Sequence, residues 1–239
     1  PEGYPTRPGD VVTSCSYHVT AGGTAMNLAT ILQNLLSKDA VFLVSCIGEG
    51  DVFADLIMNK CRERMLPTQG LHRIADAKTR LVIVFTENEN EPKRPQRRNT
   101  LPMEPTTRGC GRSDREMIAT AGAPAAMDAI CISKHWNEIA DSRVLFFSGV
   151  GTLPALEEDR SITGLLTRVR ETRRVKIGLD MIVHGDQEGA SDPSGLKRRL
   201  EPLLSTAHWL MPSEMEVQLL TGTELPDEAA SQLLSRYKN

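Results

Sequence analysis

The sequence is poor in the features that mark secreted, zinc-binding or membrane proteins. It holds five cysteines, an odd number with no C-x-x-C pair, which argues against a disulfide framework or a zinc site. Cys15 and His18 have a metal-like spacing, but no second pair follows them. No apolar run approaches the roughly 20 residues of a membrane-spanning helix. The net charge of −3 gives no indication of binding to nucleic acid or to a membrane surface. We therefore expect a cytoplasmic protein without nucleic-acid or membrane partners.

The chain also has neither an initiator methionine nor a signal peptide, because it opens on Pro1-Glu2-Gly3. We expect it to be truncated at the start. With 239 residues, 40% of them hydrophobic, it is long enough for one α/β domain with a small appendage.

Strand-like and helix-like segments alternate along most of the chain. An alternation of this kind predicts right-handed βαβ units and a mostly parallel sheet, in which ligands bind beyond the carboxyl ends of the strands. The predicted strands are 14–20, 41–47, 81–86, 144–148, 175–180 and 208–211. The predicted helices are one from Gly22-Gly23 through Leu36, and 52–64, 127–139, 162–171, 196–205, 214–220 and 227–237.

One segment differs in composition from the rest. Residues 87–114 contain four prolines, a basic cluster at 93–98 and almost no large apolar side chains. Such a segment cannot bury enough surface to offset its ordering entropy, so we predict a disordered insertion at about 88–114. The segment is either a solvated loop or a binding site for a phosphopeptide adaptor. The second interpretation depends on the sequence from Arg97 to Pro102, with Thr100 as the phosphorylated residue.

The most informative motif is Gly22-Gly23-Thr24-Ala25-Met26-Asn27. Two glycines let the backbone approach a ligand and leave amides pointing at it from a helix N-terminus. Asn27 lies one turn further on, where its side-chain amide offers both a donor and an acceptor to a ligand hydroxyl. The alternative is a plain helix start whose glycines serve only the turn.

This motif, with those that follow it, resembles the ribokinase-like (PfkB) carbohydrate kinases. The further matches are Ile47-Gly48 with Asp51, Phe147-Ser148-Gly149, Leu179-Asp180, Pro212-Ser213-Glu214-Met215-Glu216, and Leu219 to Gly222. Their order and spacing hold over nearly the whole chain outside the insertion. The resemblance implies a three-layer α/β fold with a mostly parallel sheet and a small β lid. It implies a partial domain over 1–239, lid strands at about 10–20 and 78–87, and a sheet that is incomplete in this chain.

The resemblance also implies roles for particular positions. Gly22, Gly23 and Asn27 would hold sugar hydroxyls. Glu216, Asp180 and Ser213 would lie at the phosphate and magnesium region without ligating the metal directly. ATP, Mg²⁺ and a small sugar would then be the ligands, and the lid strands offer a route to a homodimer. The alternative for Glu216 is a solvated residue in the first turn of a helix, where glutamate is favoured anyway.

The departures from the family pattern bear on catalysis. Ser213 stands where the family has Asn, and Ile182 stands where it often has another Asn. Gly-Ala-Gly-Asp, which supplies the general base and the anion-binding amides, does not occur in the 239 residues. We therefore expect a carbohydrate kinase that is active when intact and inactive as this segment. The alternative is a non-catalytic, kinase-like protein that binds a ligand or regulates a partner. The turn Gly149-Val150-Gly151 invites a dinucleotide reading, but Pro154 replaces the third glycine of that motif.

Overall fold

The computed structural model describes residues 18–36, 40–86, 115–120, 122–158, 161–172, 174–183 and 192–237. The strands are β1 (Ser45–Gly48), β2 (Leu71–Ile74), β3 (Val82–Thr86), β4 (Arg115–Ala119), β5 (Val144–Val150), β6 (Lys176–Met181) and β7 (Trp209–Met211). The α-helices are α1 (Thr24–Leu35), α2 (Val52–Glu63), α3 (Ala129–Ser133), α4 (Trp136–Asp141), α5 (Pro154–Glu158), α6 (Ser161–Glu171), α7 (Pro193–Leu204), α8 (Glu214–Thr221) and α9 (Pro226–Arg236). A 3₁₀ turn covers Ala123–Ala126. No helix in these ranges is long and apolar enough to cross a membrane.

The chain divides into two compact units. One comprises residues 1–19 and 81–120, and the other comprises 20–80 and 121–239. In the smaller unit, β3 and β4 form an antiparallel pair with Val82 opposite Ala119 and Thr86 opposite Arg115. Parallel pairing dominates the larger unit, where β1 pairs with β2 and β5, β6 and β7 form a three-stranded sheet in that order.

The structure describes part of the expected lid. Strand β3 pairs antiparallel with β4, which follows the Pro-rich segment. His18 to Thr20 form no strand, and residues 10–17 lie outside the described residues. Within the predicted 78–87, only Val82–Thr86 is a strand. The insertion predicted at 88–114 and its Thr100 also lie outside the described residues.

Two apolar clusters fill the larger unit. The first cluster packs α1, β1 and α2 together. It includes Met26, Ala29, Ile47, Ala54 and Cys61. The other surrounds the three-stranded sheet, where Ile177, Gly178 and Leu179 of β6 are all buried. A strand that is buried on both faces has a continuous run of apolar residues, and this run identified the stretch as a strand in the sequence.

Local sequence explains several element ends close to the site. Asp51 caps α2 by accepting a hydrogen bond from the Ala54 amide. Ser213 and Glu216 form a reciprocal capping box at the start of α8, and Gly222 ends that helix in the left-handed conformation with φ of 74°. These caps determine where the helices begin relative to the preceding strands.

Candidate functional site

The first group of predicted site residues lies at the start of α1. Gly23 is the N-cap, with φ of 98°, and no side chain caps the helix. A Cβ added at Gly22 would come within 4.0 Å of both Nδ2 and Oδ1 of Asn27, so the three residues adjoin one another. The Asn27 side chain is exposed and makes no hydrogen bond within the described part of the chain. Its donor and acceptor are therefore both available to a ligand.

The acidic turn after β1 is held rigidly by one carboxylate. Asp51 accepts the Ala54 amide at 2.7 Å and the Thr79 amide at 2.7 Å, and the Gly48 amide donates to the Thr79 hydroxyl at 3.0 Å. Burial opposes ionisation of Asp51, but the amide hydrogen bonds from Thr79 and Ala54 outweigh it and hold the pKa of this carboxyl below its usual value. The ionised Asp51 carboxylate therefore holds the backbone of this turn in place by accepting two amide hydrogen bonds.

Asp180, the second-last residue of β6, has a partner that the sequence did not reveal. The Ser148 hydroxyl donates to Asp180 Oδ2 at 3.0 Å, because β5 and β6 place these two residues in register. The register shifts directly after Ser148, where Gly149 adopts φ of 82°. A bulge of this kind next to a sheet edge redirects side chains. Asp180 keeps its second oxygen without a hydrogen bond among the described residues.

Glu216 is buried, with an exposed fraction of 5%, and its carboxylate bridges two loops. Oε1 accepts the Val183 amide at 2.7 Å and Oε2 accepts the Ser213 amide at 2.6 Å. The expectation of a solvated residue in the first turn is therefore wrong about its exposure. The carboxylate stabilises the segment after β6 against the start of α8. Ser213 returns the contact, since its hydroxyl accepts the Glu216 amide at 3.4 Å.

A second buried carboxylate, Glu157 of α5, binds the turn between β5 and α5, and sequence reasoning missed it. Glu157 Oε1 accepts the amides of Gly151 at 2.6 Å and Leu153 at 3.0 Å, and Arg199 Nε lies 3.0 Å from Oε2. Burial raises the pKa of Glu157, while the two amides and Arg199 act in the opposite direction. No local sequence signal marks this pair, because α5 has only five residues and Arg199 is 42 positions away in the chain.

The predicted site residues thus form two groups in the larger unit. Gly22, Gly23 and Asn27 adjoin one another at α1, which packs against β5. The other three predicted residues lie at the carboxyl ends of parallel strands, Asp180 near the end of β6 and Ser213 and Glu216 after β7. This is the edge at which open α/β sheets bind ligands.

Asp180 and Glu216 are the predicted carboxylates at this edge. Across the described ranges, no group of three or more His, Cys, Asp or Glu side chains could hold a metal ion. Magnesium retains much of its water shell and needs only one or two carboxylates nearby, which Asp180 and Glu216 could supply. The donor set is therefore compatible with Mg²⁺ bound mainly through water and phosphate.

Comparison with known proteins supports the resemblance seen in the sequence. Residues 2–107 match the model of the pfkB family carbohydrate kinases. The chain is 22% identical over 228 residues to the ribokinase of Haemophilus influenzae, covering 95% of this chain and 60% of that protein. The chain therefore spans less than two thirds of the length of this curated relative.

Solved structures show the same fold along nearly the whole chain. A ribokinase from Giardia lamblia superposes with a TM-score of 0.69 at 14% identity, covering 97% of this chain and 60% of its own. A PfkB protein from Polaromonas sp. JS666 gives a TM-score of 0.65 at 20% identity, with 96% and 68% covered. A ribokinase from Arabidopsis thaliana, solved with ribose and ATP, gives 0.62 at 15% identity, with 96% and 62% covered. The chain therefore has a ribokinase-like α/β fold, and its residues 2–107 match the model of the pfkB family carbohydrate kinases.

Proposed function

We propose that the intact protein transfers a phosphoryl group from ATP to a sugar or sugar-like alcohol. The observation that carries the proposal is the turn Gly22-Gly23 with the free Asn27 amide beside it, inside the segment that matches the family model. An exposed amide with an unused donor and acceptor suits a hydroxyl-rich ligand, and the two glycines allow close approach of the backbone.

ATP and Mg²⁺ would act at the other group of residues. The nucleotide would supply the phosphoryl group, and the metal would neutralise the charge that develops during transfer. Asp180 would orient water of the metal shell through its free oxygen, and Glu216 and Ser213 would hold the backbone around it. Two structural relatives support this assignment: the Arabidopsis thaliana ribokinase was solved with ribose and ATP, and a putative ribokinase II from E. coli with ATP and Mg²⁺.

The general base is not among these residues. Gly-Ala-Gly-Asp does not occur in the 239 residues, and a positioned base contributes roughly 10²- to 10⁴-fold in rate. We therefore propose that this segment alone turns over no substrate, and that catalysis belongs to the intact protein.

The test is a coupled assay of ADP release on the full-length protein, with ribose, fructose, a ketogluconate and a nucleoside as acceptors. Asn27→Ala should raise the KM for the accepted sugar by roughly 3- to 10-fold, the loss of one neutral hydrogen bond. Asn34→Ala is the matched control, because Asn34 is exposed further along the same helix. If no acceptor stimulates ADP release, the proposal fails.

A non-catalytic binding protein is the second candidate, favoured by the missing Gly-Ala-Gly-Asp. It predicts that calorimetry on the full-length protein detects a sugar while the coupled assay records no turnover. The same two measurements therefore separate the two candidates.

A further inference from the structure

The turn after β5, Gly149 to Leu153, lies against the segment that follows β6. The Ile182 amide donates to the Val150 carbonyl at 2.8 Å. A Cβ on Gly151 would come within 2.8 Å of the Ile182 carbonyl oxygen, so the two backbones pack without space for a side chain. Ser148, the partner of Asp180, directly precedes the turn. The position of this turn therefore determines the geometry around Asp180.

One carboxylate fixes the turn from inside the protein. The Glu157 side chain has an exposed fraction of 0%, and its Oε1 accepts two amides of the turn, from Gly151 and Leu153. Hydrogen bonds from backbone amides to an ionised carboxylate are about twice as strong as neutral ones. Glu157 is thus a short, buried tether between α5 and the turn.

The negative charge of Glu157 is balanced by Arg199, but the geometry of this ion pair is poor. Arg199 Nε lies 3.0 Å from Glu157 Oε2, yet neither atom has an aligned hydrogen bond within the described residues, so the contact is a close but misaligned ion pair. Arg199 also lies 3.6 Å from the exposed Glu158. Buried ion pairs of poor geometry rarely stabilise a fold more than apolar side chains of the same size. Stability alone therefore does not explain why a charged pair occupies this place.

We propose that Glu157 and Arg199 are a positioning pair for ligand binding: Glu157 holds the turn after β5 in its ligand-binding geometry, and Arg199 holds Glu157. Neither residue touches the ligand. The tether keeps the backbone after Ser148 and beside Asp180 in place before the ligand arrives. This inference rests on the proposed function, because the ligand in question is the sugar and nucleotide of that reaction.

Three variants of the full-length protein separate positioning from stability. Glu157→Gln with Arg199→Met keeps an oxygen for the two amides and removes both charges. Glu157→Leu with Arg199→Met removes the tether without leaving a buried charge unpaired. Glu157→Asp keeps the charge but shortens the tether by one methylene. The control is Glu201→Gln with Arg236→Met, which removes the surface ion pair of α7 and α9.

The readouts are thermal unfolding, KM and kcat in the coupled assay, and amide exchange of residues 149–153. We expect the control to keep KM and kcat within about twofold, and the Gln/Met variant, which loses the Arg199 contact, to fall between the control and the Leu/Met variant in kcat/KM. The Leu/Met and Asp variants should lose about 10- to 100-fold in kcat/KM while still folded, the loss expected of a misplaced site. In both, exchange should accelerate selectively over residues 149–153.

Two results would overturn the inference. One is folded Leu/Met and Asp variants whose kinetics match the wild type. The other is an amide exchange rate at residues 149–153 that is the same in the Asp variant as in the wild type. This second measurement tests the inference even if the Leu/Met variant does not fold. A wild-type protein that binds no sugar or nucleotide refutes the proposed function, whereas the exchange measurement still shows whether Glu157 holds the turn.

Discussion

Replacing Glu216 by Gln should destabilise the protein although the two side chains have nearly the same shape. Both carboxylate oxygens of Glu216 accept backbone amides, from Val183 at 2.7 Å and Ser213 at 2.6 Å. A glutamine has only one oxygen, so its NH₂ group must face one of the two amide donors. The variant loses a charge-assisted hydrogen bond and leaves a buried donor unsatisfied, a loss of about 1–3 kcal/mol in the free energy of unfolding.

The assay is urea unfolding followed by circular dichroism, with midpoints compared at equal slope. Glu228→Gln is the matched control. Glu228 occupies the third position of α9, as Glu216 does in α8, but it is exposed and the N-cap Leu225 offers no capping side chain. The control should change the free energy of unfolding by at most about 0.5 kcal/mol. Equal midpoints for the two variants would refute the view that Glu216 clamps the backbone.

Three further outcomes follow from the structure. Burial and the neighbouring His135 lower the pKa of His72. As pH falls, the unfolded chain therefore takes up a proton before the folded protein does, so stability should be full above about pH 6.5 and decline below it. His72→Gln should flatten that decline when unfolding is measured as a function of pH. Gly151→Ala should destabilise by about 1–3 kcal/mol more than Gly50→Ala in thermal melts, because both have positive φ but only Gly151 lacks room for a Cβ. Burial raises the pKa of Cys46 to about 12, so iodoacetamide at pH 8 should label this residue only after unfolding, as mass spectrometry can show.

Elements with strong local signals could be predicted from the sequence, and α8 shows why. Ser213 and Glu216 have the spacing of a capping box, and Gly222 supplies the left-handed residue that ends a helix. Both signals lie within ten residues of each other, so no distant contact is needed to place the helix. Likewise, the apolar runs of β5 and β6 identified these two paired strands.

Elements that depend on distant partners could not be predicted in this way. The short strand β2 contains His72 and Arg73 among its four residues and exists through its parallel pairing with β1. The expected helix over 127–139 is instead two short helices, because His135 leaves the helical conformation with ψ of 34°. Its ring lies 3.0 Å from His72, nitrogen to nitrogen, and is tilted against the Phe42 ring, with the centroids 5.1 Å apart. Contacts between residues 63 positions apart leave no periodic trace in the sequence.

The roles of the two predicted carboxylates at the sheet edge also depend on such contacts. Glu216 matches the family pattern more completely in sequence, yet both its oxygens already accept backbone amides. Asp180 is half-buried near the end of β6, and among the described residues only its Oδ2 accepts a hydrogen bond, from Ser148. A carboxylate that already serves the backbone can orient a hydrated cation only through its remaining lone pairs, whereas one with a free oxygen can meet the water shell directly. We therefore expect Asp180→Asn to weaken magnesium-dependent nucleotide binding with little loss of stability. Glu216→Gln should lose stability first and binding only as a consequence. Calorimetry with and without Mg²⁺ on both folded variants would contradict this order if Glu216→Gln alone abolished the metal dependence.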